Sequence, residues 1–210
     1  MRAERLVHPR EATGFGLAVT PQDFHPGIKG KFIVDLRDAA TGAQLRYFEQ
    51  ENVITRDAGI LLASLCKGDP VNALGVTMLA VGTGATGNIL APDAPQDTQR
   101  KLTTELARKA FATKQYRNSS GVAVSFRTNV VDFTATFTEA EAVGALNEMA
   151  LVSPANNNPA ITNPLPAGAY DATVDVTGKD LLLNYSTYGV VVKQNTMVLK
   201  RNRITRSKRK

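Results

Sequence analysis

Short runs in which apolar and polar residues alternate occupy much of this sequence, and they constrain its fold more than any other feature. Residues 31–37 alternate, with Phe32, Val34 and Leu36 on one face. That period is typical of a half-buried strand. A turn signal of Asp, Ala, Thr and Gly follows, and the pattern resumes over residues 45–51. The two runs therefore predict a β-hairpin.

Similar runs recur along the rest of the chain. Residues 98–107 are compatible with a short helix or an irregular segment, and 153–168 are read as a loop. Further strands are predicted over residues 77–81, 109–117, 122–128, 130–137, 145–152, 181–193 and 196–199. Many short strands with one helix indicate a mainly β fold: an antiparallel β-sandwich or jelly-roll-like body with one short structural helix and extended terminal arms.

The single segment with helical spacing is predicted over residues 56–67. Thr55 is a suitable N-cap, and Gly68 is suited to end the helix. Ile60, Leu61, Leu62 and Leu65 recur at helical intervals, and we expect Leu61 and Leu62 to be buried.

Composition divides the chain into three parts. Residues 1–30 contain several Pro and Gly residues and are predicted to be an extended arm, either a flexible terminus or a segment that orders on a neighbouring subunit. Residues 31–199 form the β-rich body. Residues 1–199 together carry 18 basic and 19 acidic residues, since the tail holds seven of the 25 basic residues of the whole chain. Residues 200–210 form a basic tail without acidic residues.

The tail is the candidate contact site for an anionic partner, either DNA bound without sequence preference or an acidic protein. The alternative is a disordered tail that only aids solubility. The predicted contact residues are Lys200, Arg201, Arg203, Arg206, Lys208, Arg209 and Lys210.

Residues 82–87 match the glycine pattern G-x-G-x-x-G after a strand. A dinucleotide site needs a helix that begins inside this pattern and presents its amides to a pyrophosphate. Pro92 and Pro95 follow too closely for such a helix. The glycines are therefore interpreted as turn residues, and a nucleotide-dependent enzyme is the least favoured reading.

The sequence offers few residues for catalysis. Both histidines, His8 and His25, lie in the predicted arm, so a hydrolytic site would have to recruit one of them across the fold. The lone cysteine, Cys66, ends the predicted helix, where a small buried hydrophobic residue is the usual role and the helix dipole disfavours a thiolate. No enzymatic activity is expected.

Acidic residues pair in sequence at 139 and 141 and at 93 and 97, but neither pair has the spacing of a calcium loop or a zinc site. Nothing singles out a glycosidase pair, and no cofactor or metal is expected. One cysteine allows no intrachain disulfide and favours a reducing cytoplasm. Residues 1–10 lack the apolar stretch of a secretion signal, and no apolar run is long enough for a membrane span.

Four groups of residues form a recognisable series along the chain: 52–55 with 59–62; 79–84 with 102–108; 133–137 with 141–142 and 146–151; and 181–193. Taken in this order, they resemble a family of tailed-bacteriophage virion proteins. These proteins carry a helix after an N-x-I-T turn, a V-G-T-G strand and then an antiparallel sheet. The chain departs from their usual ending, a strand with a late aromatic residue, because the basic tail follows Leu199.

This resemblance implies a structural subunit of the particle, acting through assembly with copies of itself and other virion proteins, in a tail, baseplate or neck (head–tail connector) position. The implied location is the virion, assembled in the host bacterial cytoplasm, with no membrane partner. A capsid decoration or fibre-anchoring protein is the structural alternative. A host-carbohydrate binding module is the alternative of another class.

Overall fold

The computed structural model describes residues 28–155 and 179–207, which form one helix and thirteen strands. The helix is α1 (Arg56–Lys67). The strands are β1 (Ile28–Asp38), β2 (Gln44–Glu51), β3 (Val53–Ile54), β4 (Met78–Gly82), β5 (Gly87–Asn88), β6 (Ala91–Pro92), β7 (Glu105–Ala110), β8 (Thr113–Arg117), β9 (Ala123–Val124), β10 (Val131–Phe137), β11 (Gly144–Ser153), β12 (Leu181–Lys193) and β13 (Met197–Ser207).

Two antiparallel sheets form the body. The first has the strand order β2-β1-β13-β10-β8-β9, and the second has the order β3-β12-β11-β4-β7. Strands β5 and β6 form a separate small hairpin. The prediction of a mainly β, β-sandwich-like body with one short helix is confirmed.

The main core lies between the two sheets. Its largest members are apolar side chains at alternate positions, which the pleat directs to the same face of each strand. The alternating residues that predicted β1 are all in it. The buried members include Phe32, Val34, Leu36, Leu79, Val81, Phe137, Leu146, Met149, Leu151, Tyr188, Val191 and Leu199.

A second core covers the opposite face of the second sheet, where α1 packs on β12. Its members are Met78, Ala80, Leu102, Ala150, Val152, Leu182 and Tyr185. Because this sheet is buried on both faces, every residue of β4 is buried. That burial explains why β4 appears in the sequence as an apolar run rather than an alternating one.

The predicted helix bounds are confirmed. Gly68 ends α1 with φ 74°, a left-handed conformation that glycine adopts without a steric penalty. Thr55 occupies the N-cap position as predicted, but its hydroxyl donates to the Leu182 carbonyl and makes no capping hydrogen bond to the helix. Leu61 is buried as predicted, but Leu62 is only partly buried. The expected burial of Cys66 is wrong, because its side chain is exposed.

Residues 98–117 differ from prediction. Residues 98–107 were predicted to be a short helix or an irregular segment, but 105–107 belong to β7. The single strand predicted over 109–117 is divided between β7 and β8. These two strands belong to different sheets, so the chain crosses the sandwich at Phe111 and Ala112. The buried Arg108 within β7 interrupts the apolar period that would have revealed the strand.

The predicted limits of the body also need correction at both ends. Residues 28–30 belong to β1, while 1–27 lie outside the described residues. The last strand does not stop at Leu199: β13 continues to Ser207 between β1 and β10. Along β1 the Cα pairing runs from Asp38 with Met197 to Ile28 with Ser207. Most of the predicted tail is thus backbone of a central strand.

This placement predicts that a cut after Leu199 unfolds the chain. Such a cut removes the partners of residues 28–35 in β1 and of residues 131–136 in β10. Unpaired backbone groups inside a sheet are costly, so we expect loss of the cooperative urea transition. A cut after Ser207 removes only residues 208–210 and is the matched control. A normal transition after the longer cut would show that β13 beyond Leu199 is dispensable.

Candidate functional site

The glycine loop, residues 82–87, leads out of β4 into the small hairpin β5–β6 rather than into a helix. Its amides bind groups of the same chain. The Gly84 amide donates to Glu148 Oε1 at 3.0 Å, and the Ala85 amide donates to Asn147 Oδ1 at 3.0 Å. The Thr83 amide donates to the Thr104 carbonyl at 3.0 Å. These are the donors that a pyrophosphate would need.

Glu148, in the middle of β11, is fully buried and accepts four hydrogen bonds. Oε1 accepts from the amides of Gly84 at 3.0 Å and Thr104 at 2.8 Å. Oε2 accepts from the Thr103 amide at 2.9 Å and the Tyr185 hydroxyl at 2.7 Å. Such a set of donors offsets the cost of removing a carboxylate from water. We call Glu148 and these four donors the Glu148 site.

Close backbone approach at this site requires two of the glycines. A Cβ on Gly82 would lie 2.4 Å from the Thr104 carbonyl oxygen and 2.5 Å from Glu148 Oε1. A Cβ on Gly84 would lie 2.5 Å from the Thr104 amide nitrogen. No real Cβ makes contacts this short with backbone atoms, so any other residue displaces the loop. The glycines thus allow the loop to bind the carboxylate.

Tyr185 joins this site to the second core. Burial, and then the hydrogen bond to the Glu148 carboxylate, raise the pKa of Tyr185 above its ordinary value. The phenol therefore stays protonated and continues to donate where exposed tyrosines ionise.

Two more buried charged groups stabilise the edges of the second sheet. Arg108 pairs with Glu105 at 2.6 Å and with Asp180 at 2.5 Å, all three side chains being nearly inaccessible. Asp180 also accepts from the Ala155 amide at 2.8 Å, which ties together the two ends of the segment 156–178. Lys193 is fully buried and donates to the carbonyls of Thr138 and Glu139 at 2.8 and 3.1 Å. Burial lowers the pKa of Lys193.

A polar pocket of about 340 Å³ opens beside the Glu148 site on the outer face of β12. The glycine loop, the segment 93–99 and Thr103 form its walls, and β12 forms its floor. The lining residues are Thr86, Asp93, Ala94, Gln96, Gln99, Thr103, Tyr185 and Thr187.

The acidic pairs noted in the sequence are used separately. Asp97 pairs with Arg56 at 3.4 Å, whereas Asp93 faces the polar pocket. Glu141 pairs with Lys109 at 2.5 Å, which lowers its pKa against the effect of burial. Over residues 28–155 and 179–207, no three His, Cys, Asp or Glu side chains cluster as metal ligands. His8 and His25 lie outside the described residues.

The residues predicted to contact an anionic partner fall into two groups. Lys200, Arg201, Arg203 and Arg206 belong to β13, and the Lys200 side chain is exposed. Lys208, Arg209 and Lys210 lie outside the described residues. Contact with DNA or an acidic protein stays a prediction. In the described part of the chain, the helix is too short and too polar to cross a membrane.

Glu148 and Tyr185 were not identified from the sequence as site residues. A signal for Glu148 was present, since it is the single charged residue within the run Leu146–Leu151 of a predicted strand. A carboxylate in a strand buried on both faces must be paired or hydrogen-bonded. Its donors were not apparent because three of the four are backbone amides of residues more than 40 positions away.

The sequence matches no protein-family model and no curated protein. Function must therefore be inferred from the residues of the chain itself.

Replacing Glu148 with Gln is expected to destabilise the protein. An amide nitrogen in place of either oxygen would face an N–H donor, which leaves buried donors unpaired. The expected cost is about 1–3 kcal/mol, measured by urea denaturation. Glu51→Gln, at an exposed position of β2, is the control. Equal midpoints for the two variants would show that the buried carboxylate contributes little.

The raised pKa of Tyr185 predicts a loss of stability in alkali. A phenol whose folded-state pKa is raised contributes stability that is complete below its ordinary pKa of about 10 and is lost as pH rises toward the folded-state value. The stability advantage of the wild type over Tyr185→Phe should therefore narrow above about pH 10. Urea denaturation at a series of pH values measures it. A constant difference would contradict the assignment.

Proposed function

We propose that this protein is a structural subunit of a tailed-bacteriophage particle, in a tail, baseplate or neck position, acting through protein–protein assembly. The proposal rests on where the stretches that resemble the virion family lie in the folded chain. Three of the four stretches that resemble the virion family supply the groups of the Glu148 site, and the first stretch contacts β12 beside them, although all four are far apart in sequence. The resemblance therefore concerns one three-dimensional framework.

The contacts of that framework support this reading. In the first stretch, β3 pairs with β12, and Thr55 bonds to Leu182. In the second, the glycine loop and residues 103–104 supply three amides to Glu148. The third supplies Glu148 itself, and the fourth supplies Tyr185. These polar groups join strands and loops to one another, which is a structural use.

The first sheet offers a surface for assembly. Its edge strand β2 is eight residues long and pairs only with β1 among the described residues. Leu45 and Tyr47 on this strand are 48% and 52% exposed. A long edge strand with exposed apolar side chains is a template for pairing with another chain. The edge strands β3 and β9 have only two residues each.

The proposal predicts that the chain is present at a fixed copy number in purified phage particles. Quantitative mass spectrometry measures the copy number, and a particle reconstruction locates the chain. A position in the tail, baseplate or neck is expected. A position on the capsid surface or at a fibre base would favour the decoration or fibre-anchoring alternative. Absence from purified particles would refute the structural role.

Edge substitutions test the assembly surface in the same particles. Leu45→Lys with Tyr47→Lys places two charges on the β2 edge, which is expected to reduce incorporation of the subunit. Val122→Lys is the matched control, because Val122 is 59% exposed and precedes β9 at the opposite edge of the sheet. Equal incorporation of both variants would exclude β2 as the contact while leaving the copy-number test unaffected.

A further inference from the structure

We infer that the polar pocket beside the Glu148 site binds a neutral sugar unit. Its volume of about 340 Å³ lies within the range of small-molecule pockets, roughly 300–1,000 Å³. The lining combines hydroxyl, amide and carboxylate groups with the side chains of Ala94 and Tyr185. The inference depends on this pocket and not on the proposed role in a particle.

The walls of the pocket are fixed by the fold before any ligand arrives. The Thr187 hydroxyl donates to the Asp93 carbonyl at 2.8 Å, and the Asp93 amide donates to the Thr86 carbonyl at 2.8 Å. The Val190 amide donates to the Ile89 carbonyl at 3.0 Å. These bonds hold the loop after β4 across the face of β12. A preformed pocket avoids the entropy cost of ordering its walls on binding.

Gly189 allows the loop to lie this close to β12. A Cβ at this position would be 2.6 Å from the Leu90 carbonyl oxygen. Tyr185, also on β12, is held by its hydrogen bond to Glu148 at 2.7 Å. The Glu148 site therefore fixes the aromatic part of the pocket as well as the glycine loop.

The polar groups that remain available are mainly acceptors. No donor among the described residues bonds to the Asp93 carboxylate, whose Oδ1 lies over Gly87. The Gln99 side-chain nitrogen donates to the Lys101 carbonyl at 2.7 Å, which leaves its oxygen to accept. Gln96 uses its nitrogen similarly, toward the Ala94 carbonyl at 3.4 Å. Such a pocket favours a ligand that carries several hydroxyl donors.

Two features favour a sugar over a cation. Asp93 is the single charged residue of the lining, and one carboxylate is few for a divalent ion. The pocket is also much larger than an ion, and it has a small apolar surface that comes from Ala94 and from Tyr185, a residue only 4% exposed. A sugar presents both C–H faces and hydroxyl edges, so its chemistry matches the apolar and acceptor groups together.

Saturation-transfer NMR on the full chain tests the inference. The probes are glucose, galactose, mannose, rhamnose, N-acetylglucosamine and N-acetylgalactosamine, each at millimolar concentration. We expect transfer to at least one of them. For that sugar, Asp93→Ala should weaken binding about tenfold or more, since hydrogen bonds to a charged group are the stronger ones. Gln96→Ala should weaken it by a smaller factor.

Gln115→Ala is the matched control for Gln96→Ala, because Gln115 is exposed on β8 in the other sheet. Thermal melting verifies that each variant is folded. If Asp93→Ala is unfolded, the comparison of Gln96→Ala with Gln115→Ala decides whether the sugar binds in this pocket. No transfer from any sugar, or equal binding by all variants, would overturn the inference. Binding of Ca²⁺ that requires Asp93, without binding of a sugar, would identify a cation site and overturn it as well.

Discussion

The buried carboxylate of Glu148 is the interaction on which the second sheet and its loops depend. Its four hydrogen bonds come from the glycine loop, from residues 103–104 and from β12. Each partner is separated from Glu148 by at least 37 residues in the chain. An unpaired carboxylate at this depth would be strongly unfavourable. The charge therefore specifies one arrangement of these segments, because any other leaves it without donors.

Much of the fold could be predicted because burial leaves a pattern in the sequence: residues alternate where one face of a strand is buried, as in β1, and form apolar runs where both faces are buried. Strand β12 was predicted with its exact bounds, and α1 also, since its cap residues Thr55 and Gly68 carry local signals. Strand β7 was not predicted, because its Arg108 is a charged residue at a buried position. Ion pairs with Glu105 and Asp180 make that burial possible, and the local sequence pattern does not reveal them. A local pattern cannot report a partner as distant in sequence as Asp180.

The body was predicted to end at Leu199 because the residues that follow are basic, and this prediction was wrong because β13 continues to Ser207. Basic residues usually mark solvated segments, yet the backbone of 200–207 completes the first sheet. Backbone pairing is available to every residue except proline, so a strand between two others can continue through a basic sequence. The Glu148 site was also hidden, since three of its four donors are main-chain amides whose identity does not depend on the side chain.

The pairing of β1 with β13 has a consequence for biosynthesis. The first described strand hydrogen-bonds along its whole length with the last. Translation at about 5–20 residues per second delivers β13 on the order of 10 s after β1 has left the ribosome. Until β13 emerges, β1 and later β10 lack the strand that lies between them and pairs with both. The first sheet is therefore completed only after translation of the body, and the nascent chain carries open strand edges where neighbouring nascent chains or chaperones can bind.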